Sequence, residues 1–153
     1  MRLRAQIMVA LFLAAGLVNS RGFAATQKFS VAGLENDQEV ETFFLAFKDN
    51  VAKDARQAVA AMLAYPIGVS LASGQRLTIR NRTQFLHRYN AIFDRTFKEF
   101  LQQAKVDDLW AKWQGVATPG GEIWIKGLVN NLKKPQTHKL KIVTINGVVY
   151  KPK

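Results

Sequence analysis

The sequence predicts an α+β fold, in which N-terminal helices pack on an antiparallel sheet within a single domain. Apolar residues recur at helical spacing in the first part of the chain, and apolar and polar residues alternate in the part after Trp113. Helices and strands that are segregated along a chain in this way pack as a helical layer on a sheet. The chain has 153 residues, 48% of them hydrophobic, and no cysteine, so one core forms without disulfides.

The first 24 residues have the pattern of a secretory signal peptide. Arg2 and Arg4 precede an apolar run at positions 7–18, and Gly22 and Ala24 place small side chains before a cleavage point. The apolar run is shorter than the roughly 20 residues that a membrane-spanning helix needs. We therefore expect cleavage after the last of these residues and a periplasmic or secreted location.

The mature chain, residues 25–153, is predicted to be one basic domain. Removal of the first 24 residues leaves 19 lysines and arginines against 11 aspartates and glutamates, a formal net charge of +8. After Glu122 the chain contains seven lysines and no acid. Such a segment either attracts anionic partners or forms a solvated basic face.

Two helices and a hairpin are predicted in the first half of the mature chain. Apolar residues at helical spacing predict a helix over 37–51, and a thinner apolar stripe predicts a second helix that ends at Tyr65-Pro66. The next 16 residues, "PIGVSLASGQRLTIRN", contain two β-prone runs on either side of Ser73-Gly74. This pattern is typical of a hairpin.

A third helix is predicted to begin at Asn81. This residue is a typical N-cap, and Gln84 three positions later completes a capping box. Apolar residues continue at helical spacing for a further turn or two before Asp107. Four antiparallel strands follow, "WQGVAT" and "EIWIKGL" about a Pro-Gly-Gly turn, then "HKLKIVTI" and "VVYK" about Asn146-Gly147, the strongest hairpin signal in the chain.

The order of these elements, with the stretches "YPIGV", "IRNRTQFLHRYNAIF" and "WQGVATPGGEIWI", resembles the nuclear transport factor 2-like superfamily, the cystatin-like α+β cone. The sequence is most similar to small exported bacterial proteins of that type. The resemblance implies a curved sheet wrapped over helices, a concave side that often holds a pocket, and homodimerisation through the sheet. Members range from dehydratases and isomerases to binding modules, so the fold does not select a function.

No catalytic residue, metal ligand or cofactor site is predicted. Glu122 is the only acid in the strands after Trp113, and its place at the edge of a turn predicts exposure to solvent. His87 on a helix and His138 at the start of a strand have no orienting partner at a useful spacing, and no residues show metal-ligand spacing. His87 is predicted to lie at the surface or its boundary.

The tryptophans are the main candidates for ligand contact. A two-residue turn between the strands on either side of Pro119 places Trp113 and Trp124 on one sheet face with Gly115, Ala117 and Lys126, whereas a three-residue loop with a bulge reverses this parity. The tryptophans then either fill a core or interface or contact a ligand. If the concave side is open, its wall combines aromatic and basic residues: Trp113, Trp124, Tyr65 or Tyr89, Lys126, Lys139 and Lys141.

These features predict an exported, non-catalytic binding module for a small amphiphilic or anionic ligand, or for a protein partner as an inhibitor or immunity-type protein. The alternative is a cone-fold lyase or isomerase with Tyr65, Tyr89 or His87 as its acid or base. No specific nucleic-acid partner is expected, because no binding motif accompanies the basic charge. Association with anionic envelope lipids is expected to be peripheral at most.

Overall fold

The computed structural model describes residues 27–129 and 138–148. It confirms the α+β class, with helices gathered on one face of a curved six-stranded sheet. No helix among the residues so described is long and apolar enough to cross a membrane. In chain order the elements are a short 3-10 helix (Ser30–Ala32), α1 (Asp37–Ala52), α2 (Arg56–Met62), β1 (Leu63–Ser70), β2 (Arg76–Ile79), α3 (Arg82–Ile92), α4 (Arg95–Gln103), β3 (Trp110–Lys112), β4 (Gly115–Ala117), β5 (Ile123–Val129) and β6 (His138–Asn146).

The strand order in the sheet is β2-β1-β6-β5-β4-β3. All neighbouring pairs are antiparallel except β1 and β6, which are parallel. Alternate residues of the strands point towards the helices, as Val116 of β4 does opposite Ile125 of β5. These two side chains are at most 1% exposed, so the core lies between this face and the helices.

Local capping explains where the helices begin. Asn36 accepts a hydrogen bond from the Glu39 amide at 3.1 Å and starts α1, which occupies the predicted span plus one residue. Asn81 caps α3 as predicted, accepting from the Gln84 amide at 3.0 Å. The expected continuation of that helix is a separate helix, α4, because Asp94 caps it by accepting from the Phe97 amide at 2.8 Å.

The second predicted helix ends earlier than expected. Leu63 already has an extended backbone, and β1 runs from there through Tyr65-Pro66. The hairpin about Ser73-Gly74 is confirmed, with β1 and β2 paired in antiparallel register. The short strand β3 has no counterpart in the sequence prediction, because three residues are too few to show a period.

The predicted hairpin about Asn146-Gly147 is wrong. Both edges of β6 are occupied at this end, since Ile145 pairs with Ile123 of β5 and with Val69 of β1. The Gly147 amide donates to the Ser70 carbonyl at 2.6 Å, so Gly147 lies beside the end of β1 and not in a hairpin turn. Most of the predicted last strand, residues 149–151, lies outside the described residues.

Candidate functional site

The sheet face turned away from the helices, here called the outer face, carries a row of aromatic residues. Trp110 of β3 pairs with Ala117 of β4, which pairs with Trp124 of β5. Residues in direct cross-strand register share a face. The two-residue-turn parity is therefore the correct one for Trp124, Ala117 and Lys126.

Trp110 and Trp124 form a fixed pair across Ala117. Their ring centroids are 5.3 Å apart with an interplanar angle of 81°, an edge-to-face arrangement. The Trp110 indole Nε1 donates to the Thr118 carbonyl at 2.9 Å, which sets its orientation. Ala117 is fully buried, while both indoles stay half-buried. The pair is thus a preorganised aromatic surface.

Trp113 does not belong to this pair. It lies between β3 and β4 and is 75% exposed. The neighbouring Gln114 lines a shallow depression of about 230 Å³ with Trp124, Val143 and Thr144. Trp110 was missed as a site residue because its strand is too short to assign a face from sequence.

A row of lysines runs beside the tryptophans on the same face. Lys112 of β3 pairs with Gly115, and Lys126 of β5 pairs with Lys141 of β6. A side chain added at Gly115 would lie 3.8 Å from the Lys126 Cβ, so the glycine continues the row between the two pairs. With strands about 4.8 Å apart, the row spans roughly 14 Å.

The lysines of the row differ in their surroundings. The Lys112 Nζ lies 4.8 Å from the centroid of the Trp110 ring, within cation–π distance. Lys126 is exposed, whereas the Lys141 Nζ donates to the Ala61 carbonyl. Partial burial, followed by the charge of Lys139, lowers the pKa of Lys141.

The charged side chains of the sheet are all cationic. The six strands contain five cationic side chains and no carboxylate. Lys139, the last of the predicted basic site residues, is exposed beside Leu128 on β5. An anionic group that approaches the outer face therefore meets no carboxylate of these strands.

Glu122 corrects the sequence prediction, because it is only 3% exposed. Its Oε2 accepts from the Thr118 hydroxyl at 2.7 Å and from the Gly120 amide at 3.1 Å. The Thr118 Oγ1 also accepts from the Ile123 amide at 3.1 Å. The loop between β4 and β5 thus folds the carboxylate back onto its own backbone, which gives Glu122 a structural role.

Tyr65 and Tyr89 lie on the helical side of the sheet, apart from the tryptophans. The Tyr65 hydroxyl donates to the Ala60 carbonyl at 3.0 Å, and its ring packs against Phe85. Tyr89 is fully buried, and its hydroxyl has no hydrogen-bond partner among the described residues. Burial raises the pKa of both tyrosines to about 12, and the Asp54 carboxylate adds to the shift of Tyr89. The structure thus brings Trp124, Lys126 and Lys141 together and leaves the tyrosines out.

Removal of the hydroxyl is expected to change the free energy of unfolding differently at the two tyrosines. Tyr65→Phe is expected to lower the free energy of unfolding by about 1 kcal/mol, because a hydrogen bond is lost. Tyr89→Phe is expected to change it less, because the Tyr89 hydroxyl makes no hydrogen bond of ordinary geometry and only lies near the Asp54 carboxylate. Urea denaturation at neutral pH measures both; an equal loss in the two variants would show that the Tyr89 hydroxyl is bonded.

The same tyrosines predict a loss of stability in alkali. Below pH 10 both are neutral in the folded and unfolded chain, so their contribution is complete. Between pH 10 and about 12 the unfolded chain ionises first, since the folded pKa is the higher one. The free energy of unfolding should fall through this window, and less steeply in Tyr89→Phe.

The remaining catalytic candidate lies beside β2, outside the four strands that carry the lysine row. His87 is exposed on α3, beside Leu77 and Thr78 of β2 and Arg88. Within residues 27–129 and 138–148, no three His, Asp or Glu side chains are grouped so as to hold a metal ion.

Comparison with known proteins adds no relative. No protein-family model matches the chain, and no curated protein or solved structure matches it either. The likeness to the nuclear transport factor 2-like superfamily therefore remains a prediction from the sequence.

Proposed function

We propose that the protein is an exported, non-catalytic binding module that holds an anionic amphiphile on the outer face of its sheet. The observation that carries the proposal is the row of Trp110 and Trp124 beside the row of Lys112, Lys126 and Lys141. Apolar and cationic strips that run side by side match a ligand with an apolar body and an anionic head.

The two strips supply different parts of the binding energy. The indole pair is held by packing and by the bond from Trp110 to the Thr118 carbonyl, so little side-chain entropy is lost when a ligand covers it. Burial of apolar ligand surface there contributes about 25 cal/mol per Å². Lys112 and Lys126 add attraction for the head group, which salt screens because both side chains are exposed.

Three observations favour binding over a lyase or isomerase. His87 is exposed without an acidic neighbour in its depression. The Glu122 carboxylate is engaged by its own turn. The pKa values of Tyr65 and Tyr89 are raised to about 12, away from the neutral range where acid–base catalysis is efficient.

Export and the cone-fold resemblance belong to the same proposal. Mass spectrometry of the protein recovered outside the cytoplasm is expected to show a chain that begins at Ala25. A full-length chain held in the membrane fraction would contradict export. Dimerisation through the outer face is the competing use of that face, and it would press two lysine rows together unless an anion lay between them.

Charge reversal in the lysine row should weaken ligand binding. We expect dodecanoate, below its micelle concentration, to change the tryptophan fluorescence, and dodecyl maltoside to do so less. Lys126→Glu should weaken dodecanoate binding about tenfold, since one charge reversal near the head group costs roughly 1–2 kcal/mol. Part of the wild-type affinity should persist at moderate salt, because the apolar contact is not screened.

Arg88→Glu is the matched control, because it makes the same charge change at an exposed position on α3. It should leave dodecanoate binding within about twofold of the wild type. An equal loss of dodecanoate affinity in both variants would mean that the net charge of the protein, and not the position of Lys126, determines binding. The proposal fails if no amphiphile changes the fluorescence of the folded protein, as judged by circular dichroism.

A further inference from the structure

The sheet has a second candidate surface along the free edge of β2. This strand pairs with β1 on one side, and no other described strand pairs with it. A depression of about 290 Å³ runs between this edge and α3. It is lined by Leu77, Thr78, Ile79, Gln84, His87 and Arg88.

The register shows which backbone groups face the depression. Leu77 and Ile79 stand opposite Val69 and Ile67 of β1, and the preceding turn closes with a bond from the Leu71 amide to the Gln75 carbonyl at 2.8 Å. Hydrogen-bonded pairs alternate along an antiparallel ladder, so Leu77 and Ile79 bond to β1. The amide and carbonyl of Thr78 then point outwards, and neither has a partner among the described residues.

The groups around this edge are basic. Arg76 begins β2, Arg80 follows it, and His87 and Arg88 stand on the facing side of α3. Neither β2 nor α3 contains a carboxylate. Half-buried Leu77 adds an apolar contact between the charges.

We propose that an extended acidic segment of a partner protein binds here by adding a strand to β2. Such a segment would pair its backbone with Thr78 and place carboxylates near Arg88 and the arginines that flank the strand. A second copy of this chain is a poorer occupant, because antiparallel self-pairing of β2 brings Arg76 and Arg80 of the two copies together. The proposal is independent of ligand binding on the outer face.

A peptide series tests the backbone contribution. The probe is a short fluorescein-labelled peptide that alternates valine and glutamate, and its binding is followed by fluorescence polarisation. The same peptide N-methylated on alternate residues cannot form the ladder and should bind at least about tenfold more weakly. A valine–lysine peptide should not bind. Equal binding of the methylated peptide, or no binding of the parent, would overturn the proposal.

Variants of β2 and α3 test whether the peptide binds at this edge of the sheet. Thr78→Pro removes the outward amide at an edge position where proline is tolerated, and should weaken the valine–glutamate peptide about tenfold. Thr78→Val keeps the amide and should bind like the wild type. Arg88→Glu should weaken the same peptide about tenfold, whereas Lys126→Glu should not.

The variants are read only on folded protein, as shown by circular dichroism. If Thr78→Pro does not fold, the affinities of Arg88→Glu for the valine–glutamate peptide and of the wild type for the methylated peptide test the proposal. Equal affinity of Thr78→Pro and Thr78→Val, or an equal loss in Arg88→Glu and Lys126→Glu, would overturn the proposal. Loss of peptide binding without loss of dodecanoate binding would separate this surface from the outer face.

Discussion

Phe93→Ala is expected to lower the free energy of unfolding by about 3–5 kcal/mol. Phe93 is 2% exposed and lies where α1, α3 and α4 meet. Its ring centroid is 6.1 Å from that of Phe47, 5.0 Å from Tyr89 and 5.7 Å from Phe97. Removal of the ring leaves a cavity that three helices cannot close without shifting, and urea denaturation followed by circular dichroism measures the loss.

Leu45→Ala is the control, because Leu45 lies on α1 and is 51% exposed. It should change the free energy of unfolding by no more than about 0.5 kcal/mol. Phe93→Leu should fall between the two, since most of the volume is kept. If Phe93→Ala cost no more than Leu45→Ala, the aromatic cluster would not be the centre of the helical layer.

The parts of the fold that local chemistry decides could be predicted from the sequence. Asn81 caps its helix through its own side chain, and the span of α1 follows from a stripe of buried residues such as Phe44 and Phe47. The alternation of Lys139, Leu140 and Lys141 likewise fixes which side chains face the helices. Each of these signals lies within one turn or one strand of the residues that it places.

Pairings between distant segments could not be predicted. The Asn146-Gly147 pair has the chemistry of a hairpin turn, yet β1 already occupies the edge of β6 to which the turn would return. That parallel pairing joins residues 76 to 79 positions apart in sequence, and no local sequence signal predicts it. The pairing of β6 with β1 therefore overrides the local turn propensity of Asn146-Gly147.

The candidate site was predicted in part for the same reason. Trp124 and Lys126 were placed together because they alternate on one strand. Trp110 lies beside them only because of the cross-strand register of β3 and β4, which the sequence does not show. Tyr89 is not part of the site, because it is buried in α3, on the helical side of the sheet. The burial of Glu122 depends on hydrogen bonds within a loop, where no periodicity operates.

Gly115→Ala should destabilise the protein by about 3 kcal/mol or more, because backbone strain and a steric clash act together. Gly115 has a φ of 143°, a conformation that residues with a Cβ rarely adopt. A Cβ built there would lie 2.4 Å from the Ile125 carbonyl oxygen, which is backbone and cannot rotate away. Strands β4 and β5 would have to separate at the position that links Lys112 to Lys126.

Gly68→Ala is the matched control on the same sheet face. Gly68 has no positive φ, and a Cβ there meets nothing within 4 Å, so the change should be neutral or stabilising by up to about 1 kcal/mol. Because strand separation would displace Lys126 from the indoles, Gly115→Ala should also weaken dodecanoate binding at temperatures where it stays folded, whereas Gly68→Ala should not. Equal stability of the two variants would mean that β4 and β5 are not held this close. Unchanged binding in a destabilised Gly115→Ala would mean that the ligand does not use the lysine row beside the tryptophans.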